Sequence, residues 1–171
     1  KNVHVFIFEN TNHLSKANAY YLQKCYDLSL PVYLFQQDNL EELIGYMTDC
    51  DTIVDAIFGF GLNSSPRGIY QSVIESFNQL YDQEVIAVDI PTGLQCDSGK
   101  PYQSVIYATS TITLSAIKNG FLNPDSYFFT GKVIVEKLDV DDVSEEAGLY
   151  QMADDKMMFP LLKERIFDGY K

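Results

Sequence analysis

The sequence is poor in cysteine and histidine, which argues against several kinds of site. Its 171 residues contain three cysteines, Cys25, Cys50 and Cys96, and no CxxC pair. An odd number without that spacing favours reduced thiols over a disulfide framework or a zinc site. The two histidines, His4 and His13, are too far apart in the sequence to predict a metal-binding pair.

Positive charge is also scarce. Twelve lysines and arginines stand against 24 aspartates and glutamates, which gives a formal net charge of −12. Binding of a nucleic-acid backbone needs a basic surface that releases counterions, so we expect no nucleic-acid partner. An anionic small molecule stays compatible with this charge if backbone N–H groups, a bound cation and a few bases hold it. The bases nearest to the turns described below are Lys16, Arg67 and Lys118.

Long apolar runs and signal sequences are missing too. No run approaches the roughly 18 residues of a membrane span, and no basic segment with a cleavage site opens the chain. We therefore expect a soluble, cytoplasmic protein without a membrane partner. The GxSxG motif of serine hydrolases does not occur either, which leaves nucleophilic catalysis without support.

What the sequence does contain is an alternation of short apolar strands and amphipathic helices. Helical spacing runs from Ala19 to Tyr26 and predicts two more helices over residues 41–47 and 69–81. Strands are predicted at residues 3–8, 32–35, 51–58, 84–90, 109–116 and 132–138. This alternation is typical of right-handed βαβ crossovers, so we predict a doubly wound, parallel α/β sheet covered on both faces.

Two aspartates interrupt the apolar pattern near the ends of the third and fourth predicted strands. Asp55 lies in VDAIFGFGLNSSPRG and Asp89 in VIAVDIPTG, and each is followed within four residues by a glycine. A buried carboxylate without partners costs roughly several kcal/mol, so a function should offset this cost. Ligands of parallel α/β sheets bind at the carboxyl ends of the strands, and both aspartates are expected to face that crevice.

Two carboxylates at adjacent strand ends repel each other when both are ionised. A bound cation between them, or a raised pKa for one of them, would keep the pair together. Hard oxygen ligands suit a hard cation, and Thr92 offers a hydroxyl three residues after Asp89. The alternative is that each aspartate only caps the next helix or accepts backbone hydrogen bonds.

The glycines after Asp55 have two further interpretations. Gly59 and Gly61 match the start of a GxGxxG dinucleotide fingerprint, but Ser64 replaces the third glycine and the turn follows the third strand. An ordinary dehydrogenase is therefore the weaker hypothesis. A tight turn that needs positive φ would explain either glycine but not the carboxylate before them.

Three blocks of the sequence together resemble the YjeF N-terminal domain family of NAD(P)H-hydrate epimerases. They are VDAIFGFGLNSSPRGIY, VIAVDIPTGLQCDSG and, more loosely, TITLSAIKNGFLNPDSYFFTGKVIVEKLDV. The specific part is the Asp-Ile-Pro-Thr-Gly-Leu block at its spacing from the Asp-x-x-x-Gly-x-Gly-Leu turn. Thr92 stands where the family more often has serine, and the hydroxyl is kept.

The resemblance implies a fold, a reaction and a set of site residues. The fold is a three-layer α/β/α, Rossmann-like domain with a mostly parallel sheet. The reaction is epimerisation of the R and S forms of hydrated NADH and NADPH, a step of nicotinamide nucleotide repair, with potassium as cofactor. The implied roles are Asp89 as the catalytic residue; Asp55, Thr92 and Thr11 as potassium ligands; and Asn10, Gly59, Phe60, Gly61, Leu62, Asn63, Ser64, Ser65, Arg67, Tyr70 and Asp89 as substrate contacts.

The resemblance departs at the first loop. Family members read Gly-Pro-Gly-Asn-Asn-Gly-Gly-Asp-Gly there, whereas this chain reads IFENTNHLS and keeps only Asn10 in register. The departure keeps a second hypothesis open, that of a catalytically degraded domain acting as a binding or interaction module. The presence of both strand-end aspartates favours the enzyme, because a binding surface has no need of them.

The resemblance also predicts how the chain is divided. Residues 1–143 form the epimerase-like domain, without the family's leading helix. Residues 144–171 form an acidic loop and a linker toward a fused ADP-dependent dehydratase domain. The sequence leaves the oligomeric state open, with a homo-oligomer among the options.

Overall fold

The chain folds as an α/β domain in a computed structural model that describes residues 3–8, 14–36 and 39–138. Its strands are β1 (Val5–Ile7), β2 (Val32–Leu34), β3 (Thr52–Asp55), β4 (Glu84–Val88), β5 (Ser110–Leu114) and β6 (Lys132–Glu136). Its helices are α1 (Lys16–Asp27), α2 (Leu40–Thr48), α3 (Ile69–Phe77) and α4 (Tyr127–Thr130), with short 3-10 turns at Asn119–Leu122 and Pro124–Ser126.

Every pair of these strands runs parallel. β1 pairs with β2, and the other four form a sheet in the order β3-β4-β5-β6. Helices α1 and α3 connect β1 to β2 and β3 to β4, as parallel pairing requires. The α/β class and the parallel pairing predicted from the sequence are therefore confirmed.

Strands β3 and β4 end earlier than the apolar pattern predicts. After β3, the N–H of Ile57 donates to Asp55 Oδ1 at 3.3 Å instead of continuing the ladder. After β4, Asp89 takes a φ of 69°, and the N–H of Ile90 turns back to the carbonyl of Val88 at 2.9 Å. Both strands thus stop at the aspartates, because side-chain and turn hydrogen bonds replace strand pairing there.

The main core lies where α2 and α3 pack against one face of the four-stranded sheet. Alternate residues of two neighbouring strands are buried, including Ile53 in β3 and Val85 and Ala87 in β4. The helices contribute Leu43, Met47, Val73, Ile74 and Phe77. Burial of each large aliphatic side chain contributes about 1.5–3 kcal/mol, so this cluster is the main support of β3 and β4.

Helix α3 ends at Phe77, four residues before the predicted end at 81. The next residue, Asn78, donates from Nδ2 to the carbonyl of Val105 at 2.8 Å and accepts from the N–H of Tyr107 at 3.2 Å. These bonds join the end of the helix to a segment almost thirty residues away, which sequence periodicity cannot reveal. Leu80 lies beyond the end of the helix and still packs against the core.

Two sequence predictions have different outcomes here. No helix in the described part of the chain is both long and apolar enough to cross a membrane. The predicted domain boundary at 143 lies outside the described residues and stays a prediction.

Gly131, in the turn before β6, gives a test of this architecture. Its φ is 55°, and a Cβ added there would lie 2.1 Å from the carbonyl oxygen of Thr109. We expect Gly131→Ala to lower the free energy of unfolding by at least about 2 kcal/mol, because both the backbone conformation and the space exclude a side chain. Urea denaturation followed by circular dichroism measures the change.

Gly45→Ala is the matched control. Gly45 lies within α2, and an added Cβ would have no neighbour within 4 Å. Alanine should stabilise this helix by about 0.5–1 kcal/mol. Equal effects of the two substitutions would contradict the geometry of the β6 turn.

Candidate active site

The two predicted acids lie at the same edge of the sheet. Asp55 is the last residue of β3 and pairs with Ala87 of β4, and Asp89 follows β4 directly. Because β3 and β4 are parallel neighbours, their carboxyl ends and both aspartates meet at this edge. The predicted placement on neighbouring strands is confirmed, whereas a single ion shared by both carboxylates stays a prediction.

Asp55 is almost completely buried, with 1% of its surface exposed, and its carboxylate is well supplied with donors. The backbone N–H of Thr92 donates to Oδ2 at 2.8 Å, and the Thr92 hydroxyl donates to Oδ1 at 2.7 Å. The hydroxyl oxygen of Thr92 also accepts from the N–H of Phe58 at 3.1 Å. This network joins the turn after β3 to the turn after β4.

Burial and hydrogen bonding act on the Asp55 carboxyl in opposite directions. Burial raises its pKa, while the bonds from Thr92 and Ile57 lower it, and burial dominates. A raised pKa in the folded state means that protonated Asp55 favours folding. This contribution is present below the unfolded pKa and is lost as the pH rises through the folded pKa. A nearby cation would oppose the loss.

Asp89 has a different environment. Its Oδ1 accepts the N–H of Leu114 at 3.2 Å and forms an ion pair with Lys118 Nζ at 2.6 Å. Oδ2 faces the glycine turn, since a Cβ built on Gly59 would lie 3.5 Å from it. No hydrogen bond from the described residues reaches Oδ2, which leaves this oxygen available to a ligand.

The glycine turn is closed by the N–H of Leu62, which donates to the carbonyl of Gly59 at 3.4 Å. Neither Gly59 nor Gly61 has a positive φ, so the interpretation that either needs one is wrong. A turn closed by such a bond can form without a left-handed residue. The left-handed glycines of this region are Gly68 and Gly93 instead. The side chain of Phe60 is 72% exposed at the tip of the turn.

The rest of the predicted substrate set lies around the same turn or outside the described residues. Asn63, Ser64 and Arg67 are exposed, and the ring of Tyr70 packs on Phe58 with centroids 4.7 Å apart. The hydroxyl oxygen of Ser65 is buried without a hydrogen-bond partner among the described residues. Asn10 and Thr11 lie outside the described residues, so their predicted roles are untested.

Lys118 is the residue whose role sequence reasoning missed. It is the one base, of the three expected near the turns, that forms an ion pair within the described part of the chain. The ammonium group also donates to the carbonyls of Leu114 at 3.0 Å and Ala116 at 3.3 Å. The sequence did contain one indication of this role. Lys118 lies two residues before Gly120, in the third block, which resembles the family less closely than the other two.

The nearby Cys96 lacks the lowered thiol pKa of a reactive cysteine. Burial raises the pKa of its thiol, Asp97 raises it further, and Lys118 lowers it. The thiol is therefore protonated at neutral pH, whereas reactive cysteines need a depressed pKa. Cys25 and Cys50 are free as well, in line with the expected reduced thiols.

Comparison with known proteins supplies a family for this arrangement. Residues 1–120 match the family model described as YjeF-related protein N-terminus. The chain is 29% identical over 171 residues to the bifunctional NAD(P)H-hydrate repair enzyme Nnr of Coxiella burnetii, covering 99% of this chain and 33% of that protein. It is 36% identical over 89 residues to the NAD(P)H-hydrate epimerase of Limosilactobacillus fermentum, covering 52% of this chain and 42% of that one.

A solved structure agrees with the fold. The crystal structure of yeast ynu0 superposes with a TM-score of 0.63 at 20% identity, over 78% of this chain and 53% of the yeast chain. At this sequence identity the similarity concerns the fold alone. The chain spans about a third to two fifths of the length of the two bacterial relatives.

Thr92 provides a test of the network between the two turns. Thr92→Val removes the hydroxyl that donates to Asp55 and accepts from Phe58. We expect a loss of about 1–3 kcal/mol in the free energy of unfolding, because a buried carboxylate oxygen and a partly buried N–H lose partners. Thr92→Ser keeps the hydroxyl and should lose less than half as much in the same urea titration. A valine variant as stable as the serine variant would contradict this network.

Proposed function

We propose that this chain, which belongs to the family of YjeF-related protein N-termini, is an NAD(P)H-hydrate epimerase domain that interconverts the R and S forms of hydrated NADH and NADPH. The names of the relatives from Coxiella burnetii and Limosilactobacillus fermentum support this substrate. The observation that carries the proposal is the Asp89 carboxylate, which has one oxygen fixed by the protein and the other facing the glycine turn.

The substrate would bind across the turn that follows β3. This turn leads into α3, and backbone N–H groups at such turns and helix starts favour phosphate groups. The turn over residues 59–65 would contact the phosphates together with Arg67, and the hydrated ring would then lie beside Asp89. An exposed base and neutral backbone donors suit an anionic ligand in a protein of net charge −12.

Asp89 would carry the proton. Inversion at the hydrated carbon requires that the hydroxyl leave and return on the other face, or that the ring open and close. Both routes transfer a proton to and from oxygen, and a carboxylate within hydrogen-bond reach typically contributes about 10²–10⁴-fold in rate. Oδ2 of Asp89 is suited to this step because the described residues leave it without a donor.

Asp55 is less suited to proton transfer. Its carboxylate is 1% exposed, and both oxygens accept hydrogen bonds from Thr92. We assign it to potassium instead, with Thr92 and Thr11 as the other ligands. When bound, potassium would supply positive charge that offsets the buried carboxylate and the substrate phosphates.

The oxygen atoms in this region fit such an ion. Asp55 Oδ2 accepts one hydrogen bond from the described residues, and the Thr92 hydroxyl accepts one, so each keeps a free lone pair. Carboxylate and hydroxyl oxygens are hard ligands. The described residues contain no group of three or more His, Cys, Asp or Glu side chains that could hold a metal ion, so the assignment rests on the oxygens of Asp55 and Thr92.

Other parts of the prediction extend this proposal. The match to a bifunctional repair enzyme supports a fused dehydratase domain in the whole protein. A cytoplasmic location and a homo-oligomer stay predictions. The interaction-module hypothesis loses support, because the relatives named above are an epimerase and a repair enzyme.

Asp89→Asn tests the proton transfer. Asparagine tolerates the left-handed backbone of this position and keeps the side-chain shape, but it cannot exchange the proton. We expect the epimerisation rate to fall by about 10²–10⁴-fold with folding retained. The assay follows loss of the R hydrate by chiral chromatography, with a hydrate dehydratase supplied as trap.

The exposed Asp82 gives the control, and Asp82→Asn should turn over like the wild type. If Asp89→Asn keeps the wild-type rate while Asp55→Asn loses it, the two roles are reversed. A wild-type full-length protein that does not accelerate epimerisation would overturn the proposed function.

Potassium binding has a readout that does not depend on activity. At constant ionic strength, replacing tetramethylammonium by potassium should raise the melting temperature of the wild type, because a ligand that binds only the folded state stabilises it. Asp55→Asn should abolish this response by removing the ligand charge. A melting temperature that responds equally in both proteins would place the ion elsewhere.

A further inference from the structure

The ammonium group of Lys118 is fully used within the protein. Its three acceptors are Asp89 Oδ1 at 2.6 Å and the carbonyl oxygens of Leu114 at 3.0 Å and Ala116 at 3.3 Å. An ammonium group has three N–H donors, so these acceptors account for all of them. The side chain is 16% exposed, which limits competition by water.

The loop after β5 is shaped to hold this group. Ser115 has a φ of 65°, and the N–H of Ala116 bonds back to the carbonyl of Leu114 at 2.8 Å. The N–H of Ser115 donates to the carbonyl of Glu136 in β6 at 2.8 Å, which fixes the turn to the sheet. A left-handed serine costs about 1–3 kcal/mol and persists only where its surroundings determine it. The carbonyl acceptors of Lys118 are therefore preorganised.

The two carboxylate oxygens of Asp89, the partner of Lys118, have different environments. Asp89 Oδ1 accepts from Lys118, from the N–H of Leu114 at 3.2 Å and, at 3.5 Å, from the Thr113 hydroxyl. Oδ2 lies against Gly59 and has no donor among the described residues. A carboxylate held through one oxygen cannot rotate freely, so the direction of the other oxygen is set as well.

We propose that Lys118 is the positioning residue of this active site: it holds Asp89 through Oδ1 so that Oδ2 faces the glycine turn, and it does not contact the substrate. This inference rests on the proposed function. A role as a substrate ligand would need a spare N–H donor, and the three acceptors leave none. The two carbonyls keep the ammonium in place independently of any ligand.

Lys118→Met removes the donors while keeping a long, unbranched side chain. We expect kcat for epimerisation to fall by about 10–100-fold, the usual effect of losing a residue that orients a reacting group, with KM within about threefold of the wild type. Lys132→Met is the matched control, because Lys132 is exposed on β6, and it should keep both constants. Lys118→Leu, which also lacks donors, is the second variant should the methionine variant fail to fold, and it should show the same fall in kcat.

A double-mutant cycle separates positioning from a merely structural role. If Lys118 acts through Asp89, then Lys118→Met should cause no further loss in an Asp89→Asn background. Multiplication of the two losses would show that Lys118 acts on its own and would overturn the proposal. So would a variant that raises KM while keeping kcat, because that result would make Lys118 a substrate ligand.

Amide hydrogen exchange gives an arm that needs no activity. The N–H of Leu114 donates to Asp89 Oδ1, so its protection should fall at least tenfold in Lys118→Met and stay unchanged in Lys132→Met. Unchanged protection in Lys118→Met would overturn the anchoring. A wild type without epimerisation would refute the proposed function, and the Leu114 amide would then decide the anchoring by itself.

Discussion

The hydrogen bonds from Thr92 to the buried Asp55 carboxylate are the constraint on which the site depends. Thr92 lies three residues after Asp89, and Phe58, whose N–H reaches the Thr92 hydroxyl, directly precedes Gly59. The network therefore places the glycine turn and the Asp89 turn side by side. Two loops that follow different strands acquire a fixed spacing because one carboxylate is buried between them.

The carboxylates of the two aspartates are stabilised at the edge of the sheet by different kinds of partner. Asp55 is surrounded by neutral donors, so burial keeps its pKa raised despite the hydrogen bonds. Asp89 is balanced by the charge of Lys118, which occupies one of its oxygens and leaves the other toward the crevice. Asp55 is thus held through both oxygens by neutral donors, whereas the ion pair of Asp89 involves one oxygen and leaves the other without a donor among the described residues.

The extent to which the sequence predicts this site follows from the distances along the chain. The aspartates, the glycine turn and Thr92 are recognisable because each belongs to a short local pattern at a strand end. The partners are not, because Thr92 is 37 residues from Asp55 and Leu114 is 25 residues from Asp89. The strands predicted from apolar periodicity continue past the aspartates, because the periodicity contains no information about these hydrogen-bond donors.

The left-handed backbone conformations of Asp89 and Ser115 link the site to strands β5 and β6. Each conformation costs roughly 1–3 kcal/mol, and each is held by a hydrogen bond to a neighbouring strand. The N–H of Asp89 bonds the carbonyl of Ile112 in β5, and that of Ser115 bonds the carbonyl of Glu136 in β6. The geometry of the Asp89–Lys118 pair therefore depends on the pairing of β5 with β6. Gly131 directly precedes β6. A substitution there would therefore alter the position of Asp89 through this strand pairing, without a direct contact.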